Sequence, residues 1–363
     1  MALSTIKTAS ITDDAVTTPK VSDGVFNAHR NLIINGAMQV AQRGTSSATS
    51  GYQTVDRWNA AFGGSGAAVT QSQESLSSSD APYALGLRNY FRSTVTGTST
   101  DTGAYHQILQ YVEAQNMAQS GWNLTSTSSY ITLSFWVRSS VAGTYAFYFE
   151  SMDGTQQSYS HAFTISANTW TKVTKTIPGN SNITINNDNG HGLLFDIVAH
   201  FGTDYTTASS TEDAWKTFDG TDVSKDYPQN WLNTSGATFD FTGVQLEVGE
   251  TATPFEHRSY GDELRRCQRY YYETTDYIRY MSQGPVGSQA WEWIDLPVTM
   301  RAQPTGTVYG SPNEADVGKA SQDGGDKETL SLYQSPFVLG LLCSNSTSGQ
   351  NLQFWKIKVD AEL

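Results

Sequence analysis

Aromatic side chains set beside amides and carboxylates are the residues of this sequence that could do chemistry. The flat C–H face of a sugar stacks on an exposed ring, while amide and carboxylate groups bond its hydroxyls. One Gly- and Asn-rich stretch supplies Trp215, Asp226, Tyr227, Asn230, Trp231 and Asn233. Further along, Trp291 and Trp293 are two residues apart and would share one face of a strand. Each ring could equally belong to the core, so exposure decides between the two interpretations.

Motifs of the common enzyme classes do not occur in the sequence. It contains no Gly-Lys-Ser/Thr phosphate loop, no Gly-x-Ser-x-Gly elbow and no His-Glu-x-x-His zinc motif. The six histidines are scattered without metal-ligand spacing. Glycoside hydrolysis needs two converging carboxylates, and nothing singles out such a pair among the 35 acidic residues. We therefore expect no catalysis.

The charge balance disfavours two classes of partner. The 363 residues include 22 Lys and Arg against 35 Asp and Glu, which gives a net charge of −13. Binding to nucleic acid or to an anionic membrane surface depends on Lys and Arg, so we expect neither. No stretch approaches the ~20 apolar residues of a membrane span, and no secretory signal is recognisable. Two cysteines, Cys267 and Cys343, cannot build a disulfide framework, and synthesis in a reducing cytoplasm is expected.

The elements that would position these residues are β-strands. Residues 130–138 alternate, which places Ile131, Leu133, Phe135 and Val137 on one face. Further strands are predicted at residues 145–149, 170–177, 193–198, 239–246, 290–296 and 355–361. Gly, Asn, Ser and Asp clusters separate them, as turns require. The prediction is an all-β chain with a jelly-roll-like β-sandwich over residues 31–258 and a small β domain over 273–363. One helix is predicted at 105–118, and residues 313–328 are predicted to form an exposed loop.

A short helix is expected over residues 259–272, between the two β regions. Ser259 can cap it with Asp262 as its partner three residues on, and acidic residues precede basic ones along its length. Its apolar seam, spaced by four, three and four residues, comprises Tyr260, Leu264, Cys267 and Tyr271. So short a helix must pack to be stable, either on its own domain or around the axis of a trimer.

Residues 1–30 differ from the rest of the chain. Their apolar residues recur at every fifth position, as Ile6, Ile11, Val16 and Val21. A period of five matches neither a helix nor a strand, and so thin a segment cannot bury a core alone. It is either a flexible leader or an extended segment that docks on another protein.

Two groups of motifs together resemble a known family. One group lies at each end of the predicted sandwich region. The opening group is residues 31–45 and 52–58, and the closing group is residues 243–249, 253–258 and 260–270. With the Thr-Leu-Ser-Phe-Trp-Val-Arg run at 132–138, they resemble the carbohydrate-binding-module-like β-sandwich of bacteriophage tail-fibre and receptor-binding proteins. The likeness covers about residues 31–272.

This resemblance implies a function for the chain. It implies a virion structural protein, synthesised in the host cytoplasm, whose residues 1–30 dock on other tail proteins and which assembles as a homotrimer. Its modules would project outward and bind a host surface glycan without catalysis. The alternatives are a capsid-decorating or tail adaptor protein that never contacts the host, and, in another class, a glycan depolymerase.

Calcium is the one cofactor that the resemblance implies, because sandwiches of this kind often hold a structural calcium ion. Calcium takes several oxygen ligands. The candidates near the opening and closing motifs are Asp56, Asp240 and Glu247. Ordinary ion pairs are the competing interpretation of these residues, with Arg57 as one candidate partner.

Overall fold

A computed structural model describes residues 30–228, 230–274, 278–281, 288–311, 314–322, 327–346 and 351–363. The predicted docking residues Ile6, Ile11, Val16 and Val21 lie outside the described residues. The side chain of Trp291 is also outside them, although its backbone is part of a strand.

Two antiparallel six-stranded sheets form the first part of the fold. Their strands are β1 (Ser46–Ser47), β2 (Asn59–Gly63), β3 (Ala68–Ser75), β4 (Asn89–Gly97), β5 (Tyr105–Glu113), β6 (Tyr130–Ser139), β7 (Gly143–Ser151), β8 (Gln157–Ile165), β9 (Thr171–Pro178), β10 (His191–Phe201), β11 (Trp215–Thr217) and β12 (Thr238–Val248). Sheet I has the order β1-β3-β4-β12-β6-β9, and sheet II has the order β11-β8-β7-β10-β5-β2. The predicted strands between residues 130 and 246 are confirmed.

The core lies between sheets I and II and follows from the alternation along each strand. In β6 the residues Ile131, Leu133, Phe135 and Val137 are all fully buried. Across the core, the Phe135 ring meets Phe147 of sheet II edge to face, with 6.0 Å between ring centroids. Each such side chain contributes roughly 2 kcal/mol by its burial. The predicted all-β sandwich is therefore confirmed.

The opening and closing motifs meet through buried amides. The Asn31 side chain donates to the Val244 carbonyl at 3.0 Å and accepts from the Leu246 amide at 3.0 Å, which attaches the opening segment to β12. Asn35, fully buried with φ +57°, donates its side-chain amide to the Val40 and Asp56 carbonyls. Buried polar groups need such partners, so these motifs serve the fold directly.

The predicted helix at 105–118 is wrong over most of its length. Tyr105–Glu113 is strand β5, and only Ala114–Ala118 is helical, as α1. Strand β5 pairs with β10 on one side and β2 on the other, which puts the alternating residues His106, Ile108 and Val112 into the interior. Pairing on both edges outweighs the helical spacing of the apolar residues.

The rest of the chain forms two more sheets. Their strands are β13 (Tyr271–Glu273), β14 (Ile278–Met281), β15 (Ser288–Asp295), β16 (Thr305–Ser311), β17 (Ala315–Val317), β18 (Lys319–Gln322), β19 (Lys327–Gln334), β20 (Val338–Ser346), β21 (Asn351–Phe354) and β22 (Lys356–Asp360). Sheet III has the order β13-β22-β16-β17, and sheet IV has the order β14-β21-β18-β19-β20-β15. The strands predicted at 290–296 and 355–361 are confirmed. The loop predicted at 313–328 is wrong where it is described, because β17 pairs with the preceding strand β16, and β18 pairs with β19 and with the distant strand β21.

Helix α2 (Tyr260–Gln268) is capped as predicted, with the Ser259 hydroxyl accepting from the Asp262 amide at 3.2 Å. Its apolar face packs within the chain. Cys267 is fully buried in a cluster with Ile34 and Val40 against which Leu264 packs. Tyr271 belongs to β13 and is 3% exposed, whereas Tyr260 is 57% exposed. Leu264, Cys267 and Tyr271 of the predicted trimer seam are thus covered within the chain while Tyr260 is exposed, so the four residues do not form one accessible seam. Among the described residues, no helix is long and apolar enough to cross a membrane.

The last strand is fastened to the sandwich by buried charges. The fully buried Arg57 pairs with Glu362, donates to the Tyr111 carbonyl at 2.7 Å and lies 3.4 Å from the Tyr270 ring centroid. Burial alone lowers the pKa of the Arg57 guanidinium, but the Glu362 carboxylate more than offsets this and raises it. Arg43 adds ion pairs to Asp360 at 3.0 Å and Glu362 at 3.3 Å.

Candidate functional site

An exposed aromatic surface lies on three neighbouring strands of sheet IV. Trp293 of β15 stands opposite Gly340 of β20, and Gly340 stands opposite Tyr333 of β19. Trp293 is 56% exposed and Tyr333 is 48% exposed. We call this row, Trp293, Gly340 and Tyr333, the aromatic platform.

The alternation of the three strands holds these rings outside. Leu330, Leu339 and Leu341 point into the core of the C-terminal sheets, and Ile294 packs against it. Their neighbours in sequence therefore face away from that core. A side chain at Gly340 would meet the Trp293 ring, since an added Cβ would lie 2.6 Å from a ring carbon. Because Gly340 has no side chain, the Trp293 indole can lie directly over its backbone.

Polar side chains on the same face complete the surface. Ser331 precedes Tyr333 by two residues on β19, Asp295 follows Trp293 by two on β15, and both are exposed. Phe337, in the turn between β19 and β20, is 62% exposed. Neighbouring exposed rings of this kind are typical of an interaction surface. The arrangement offers stacking faces with a hydroxyl and a carboxylate beside them, which suits a neutral polar ligand such as a sugar.

The predicted ring Trp231 is wrong as a sugar contact. It is fully buried in the core and stacks on the imidazole of His106, with 5.2 Å between centroids and 17° between planes. Burial lowers the pKa of His106 to about 3, so this imidazole is neutral. The neighbouring residue Asn230 is exposed.

Trp215 and Tyr227 support the segment 202–228, which lies over the outer face of sheet II. The Trp215 indole donates to the Pro178 carbonyl at 2.7 Å and packs on Tyr159 at 5.6 Å. The Tyr227 hydroxyl donates to the Glu212 carboxylate. Both residues are half-buried and their polar atoms are engaged within the chain. Of the four predicted rings whose side chains are described, Trp293 is the one that is mostly exposed, at 56%.

The predicted calcium ligands are not brought together. Asp240 is fully buried and is held by Arg92 at 2.8 and 2.9 Å and by Arg138 at 2.8 and 2.9 Å. Two guanidinium groups occupy the oxygens that a cation would need. Asp56 accepts from Gln42, and Glu247 accepts from Thr253. Within the described ranges, no three acidic, histidine or cysteine side chains are placed to hold a metal ion.

Two acids that were not singled out in the sequence lie on the outer face of sheet II. Asp196 is fully buried, and burial raises its pKa to about 8, helped by the charge of Glu150 on the neighbouring strand. Burial likewise raises the pKa of Glu150 to about 7. No hydrogen bond of good geometry reaches either Asp196 oxygen, although the Tyr148 hydroxyl and the Ile108 backbone favour its charged form.

These acids sit among apolar residues. Tyr148 clusters with Leu109, Leu194 and Val223, and Phe218 packs against that cluster. Val223 and Phe218 come from the segment 202–228, which therefore contributes an apolar cover to this face. Asp196 and Glu150 therefore make the stability of the fold sensitive to pH, because burial among apolar residues disfavours their charged forms.

Comparison with known proteins gives no family assignment. No family model matches the chain, and no curated protein matches it at a significant level. Among solved structures, the chain is similar to the family 11 carbohydrate-binding module of the Clostridium thermocellum cellulase Lic26A-Cel5E, with 15% identity and a TM-score of 0.28 over 59% of this chain and 98% of that one. A second is described as a putative sugar-binding protein from Bacteroides thetaiotaomicron, with 13% identity and a TM-score of 0.32 over 60% of this chain and 100% of that one.

A third similar structure is the enzymatically active domain of tailspike protein 4 of bacteriophage CBA120. The identity is 12% and the TM-score 0.34, over 61% of this chain and 22% of that one. The chain thus matches about a fifth of the tailspike's length. At these TM-scores the likenesses decide nothing about this chain, whose sandwich is established by its own sheets.

The aromatic platform was only half predicted. The Trp-x-Trp spacing pointed to Trp293, whereas Tyr333 and Gly340 were missed. A signal for Tyr333 was present, because Leu330 and Leu332 alternate with Ser331 and Tyr333. The partnership with Gly340 has no signal in one sequence, since it depends on the register between β15 and β20.

Proposed function

We propose that this protein is a non-catalytic, carbohydrate-binding subunit of a phage tail fibre, and that the aromatic platform contacts a glycan on the host surface. The observation that carries the proposal is the exposure of Trp293 and Tyr333 on one row of strands, with polar side chains at their edges. A rigid β-sheet keeps such rings in place without a loss of entropy on binding.

Assembly in several copies is part of the proposal. A single shallow platform binds weakly, and tethered copies raise the effective concentration for the next contact. In the proposed assembly a homotrimer presents three platforms, and residues 1–30 attach it to other tail proteins. We place the trimer axis away from helix α2, because Leu264 and Cys267 of its apolar face pack within the chain.

Glycan binding is tested first. Binding to an array of bacterial surface glycans identifies a ligand, which is then titrated into the wild type and into Trp293→Ala, Tyr333→Ala and Trp355→Ala variants. Trp355 is another exposed tryptophan, outside the three platform strands, and serves as the matched control. We expect about tenfold weaker binding for the two platform variants, which corresponds to about 1.4 kcal/mol. Equal affinities of the wild type and all three variants for the glycan would show that the aromatic platform does not contact it.

The remaining parts have separate tests. Deleting residues 1–30 should prevent incorporation into particles while leaving thermal unfolding unchanged, and particles that still carry the truncated protein would contradict the docking role.

Sedimentation as a monomer would contradict the trimer. Release of reducing sugar that Asp196→Asn abolishes would contradict the absence of catalysis.

A further inference from the structure

The outer face of sheet II surrounds Asp196 with apolar side chains. Asp196 stands opposite Leu109 of β5 and Tyr148 of β7, and Leu194 and Val198 flank it two residues away on its own strand. All four of these neighbours are buried in one hydrophobic cluster. Because side chains stand roughly perpendicular to a sheet, the shortest way from this carboxylate to water leads outward from the sheet.

A short stretch of the segment 202–228 closes that way to water. We call residues 218–223 the strap. Val223 is buried in the cluster around Asp196, and Phe218 packs against that cluster. Residues 219–221 are exposed, and Gly220 has open space where a side chain would lie. The strap therefore covers the face with apolar side chains and turns its tip to the solvent.

Two backbone hydrogen bonds attach the ends of the strap. The Phe218 amide donates to the Gln156 carbonyl at 2.9 Å, and the Val223 amide donates to the Tyr205 carbonyl at 2.9 Å. These bonds lie outside the ladders of sheets I and II, so the strap can detach while both sheets stay paired. Surface segments with few attachments are the parts of a fold that open locally.

The carboxylate under the strap is uncompensated. Neither Asp196 oxygen has a hydrogen bond of good geometry. The ionisable side chains that shift its pKa belong to β7, where Glu150 repels its charge and the Tyr148 hydroxyl favours it. Tyr111 of β5 responds to both carboxylates, since they raise its pKa in addition to its burial. Among the described groups that act on Asp196, none is basic.

Two basic groups near this face have other partners. Lys216 of β11 pairs with Asp222 of the strap at 3.0 Å, which holds the strap closed without neutralising Asp196. His191 stacks on Tyr111, with 4.3 Å between ring centroids. Burial and nearby guanidinium groups lower the pKa of His191, so its ring is neutral at neutral pH. An ionised Asp196 therefore gains most from contact with water.

This arrangement couples the strap to pH. Under the closed strap, Asp196 keeps its proton up to a pKa of about 8, whereas a hydrated aspartate has a pKa of about 3.9. Between these values the open state has lost the proton and the closed state has kept it. The equilibrium constant for opening therefore rises with pH, by up to about tenfold per pH unit, and is constant above pH 8.

We propose that the strap is a gate on the outer face of sheet II, which opens as Asp196 ionises and uncovers Leu109, Leu194 and Val198. The sandwich core between sheets I and II stays closed in the open state. The gate does not rest on glycan binding by the aromatic platform, so the two proposals fail separately.

Hydrogen exchange of the full-length protein tests the gate. Mass spectrometry follows peptides that contain the strap and the core strand β6, and dividing by the intrinsic exchange rate gives their protection factors. Protection of the Phe218 and Val223 amides should fall by up to about 1000-fold between pH 5 and 8 and level off above pH 8. The β6 amides should stay at least about a hundredfold better protected at each pH, because they exchange through global unfolding.

Three variants identify the group that operates the gate. Asp196→Asn should leave the strap with only the smaller pH dependence that Glu150 supplies, and the double variant with Glu150→Gln should show none. Asp219→Asn removes an exposed carboxylate from the strap and should leave the pH profile of the wild type unchanged. A profile in Asp196→Asn equal to that of the wild type would overturn the proposal.

A change in the cover supplies an independent measurement. Val223→Ala removes part of the apolar cover and should lower the protection of the strap at pH 5 about tenfold, with the β6 amides less affected. Unchanged protection of the strap in this variant would overturn the gate. Equal protection of the strap and of β6 in the wild type would also overturn it, since the strap would then open only with the whole fold. Both outcomes decide the matter even if Asp196→Asn does not fold.

Discussion

The indole of Trp293 covers Gly340 on the neighbouring strand, in the space where a side chain would stand. Gly340→Ala should therefore displace the ring and weaken glycan binding by up to about tenfold, since aromatic contacts are worth about 0.5–1.5 kcal/mol. Thermal unfolding should change little, because the ring can move into solvent. Gly220→Ala is the control, as an added methyl group there meets open space. Unchanged glycan affinity in Gly340→Ala would show that glycan binding does not depend on the position of the Trp293 ring.

Asp240 is expected to act as the centre of an ion-pair cluster. Asp240→Asn removes the carboxylate that Arg92 and Arg138 share and leaves Asp80 as the remaining partner of Arg138, and it should lower the free energy of unfolding by about 2–3 kcal/mol. A chelator should leave the melting temperature of the wild type unchanged. A chelator-induced drop that Asp240→Asn abolishes would instead restore Asp240 as a metal ligand.

The pair of Arg57 and Glu362 should couple the last strand to the sandwich. Glu362→Gln leaves a buried guanidinium without its carboxylate and should cost about 3 kcal/mol in the free energy of unfolding. Asp360→Asn is the matched control, because its carboxylate is half-exposed and its partner Arg43 also pairs with Glu362. That change should cost less than about 1 kcal/mol. Denaturant titration measures the free energy of unfolding of both variants. Equal losses would contradict the expectation that the buried ion pair contributes more than the partly exposed one.

The sequence predicted the strands well wherever alternation alone decides, as at Ile131, Leu133 and Phe135. It failed where the partner strand decides. The residues Ile108, Leu109 and Val112 fit a helix by spacing, yet pairing with β10 and β2 makes them part of a strand. Likewise, residues 315–322 carry no period of their own, and their strands are defined by pairing with β16, with β19 and with the distant strand β21.

The candidate site shows the same limit. Residue type indicated that Trp231 and Trp293 could each stack on a sugar, but only the fold separates the buried ring from the exposed one. The same limit applies to the acidic residues. Residue type predicts Asp240 as a metal ligand, whereas in the fold its carboxylate is bound by Arg92 and Arg138. Asp196 carried no signal at all, because its isolation depends on the segment 202–228 lying over the face of the sheet.

Asp196 should make the protein less stable as the pH rises. Its folded pKa is about 8, whereas that of an unfolded aspartate is about 3.9, so between these values only the folded state keeps the proton. Stability attributable to this group is complete below about pH 4 and is lost as the pH rises through 8. Asp196→Asn, which carries no charge, should therefore match the wild type in melting temperature near pH 4, exceed it by a growing margin up to about pH 8, and keep a constant margin above that.

The groups around Asp196 define the controls for this measurement. Glu150, with a pKa of about 7, and Tyr148 and Tyr111, whose pKa values burial raises, are present in both proteins, so the difference between variant and wild type isolates Asp196. Glu150→Gln should show a smaller gain that stops growing at lower pH, near 7, where the folded state of the wild type has lost this proton. Asp219→Asn, at a fully exposed carboxylate whose pKa is lowered by hydrogen bonds from Thr221, should show no gain at alkaline pH. A difference between Asp196→Asn and wild type that stays constant from pH 5 to 9 would mean that Asp196 is ionised throughout, and that the face it occupies is open to water.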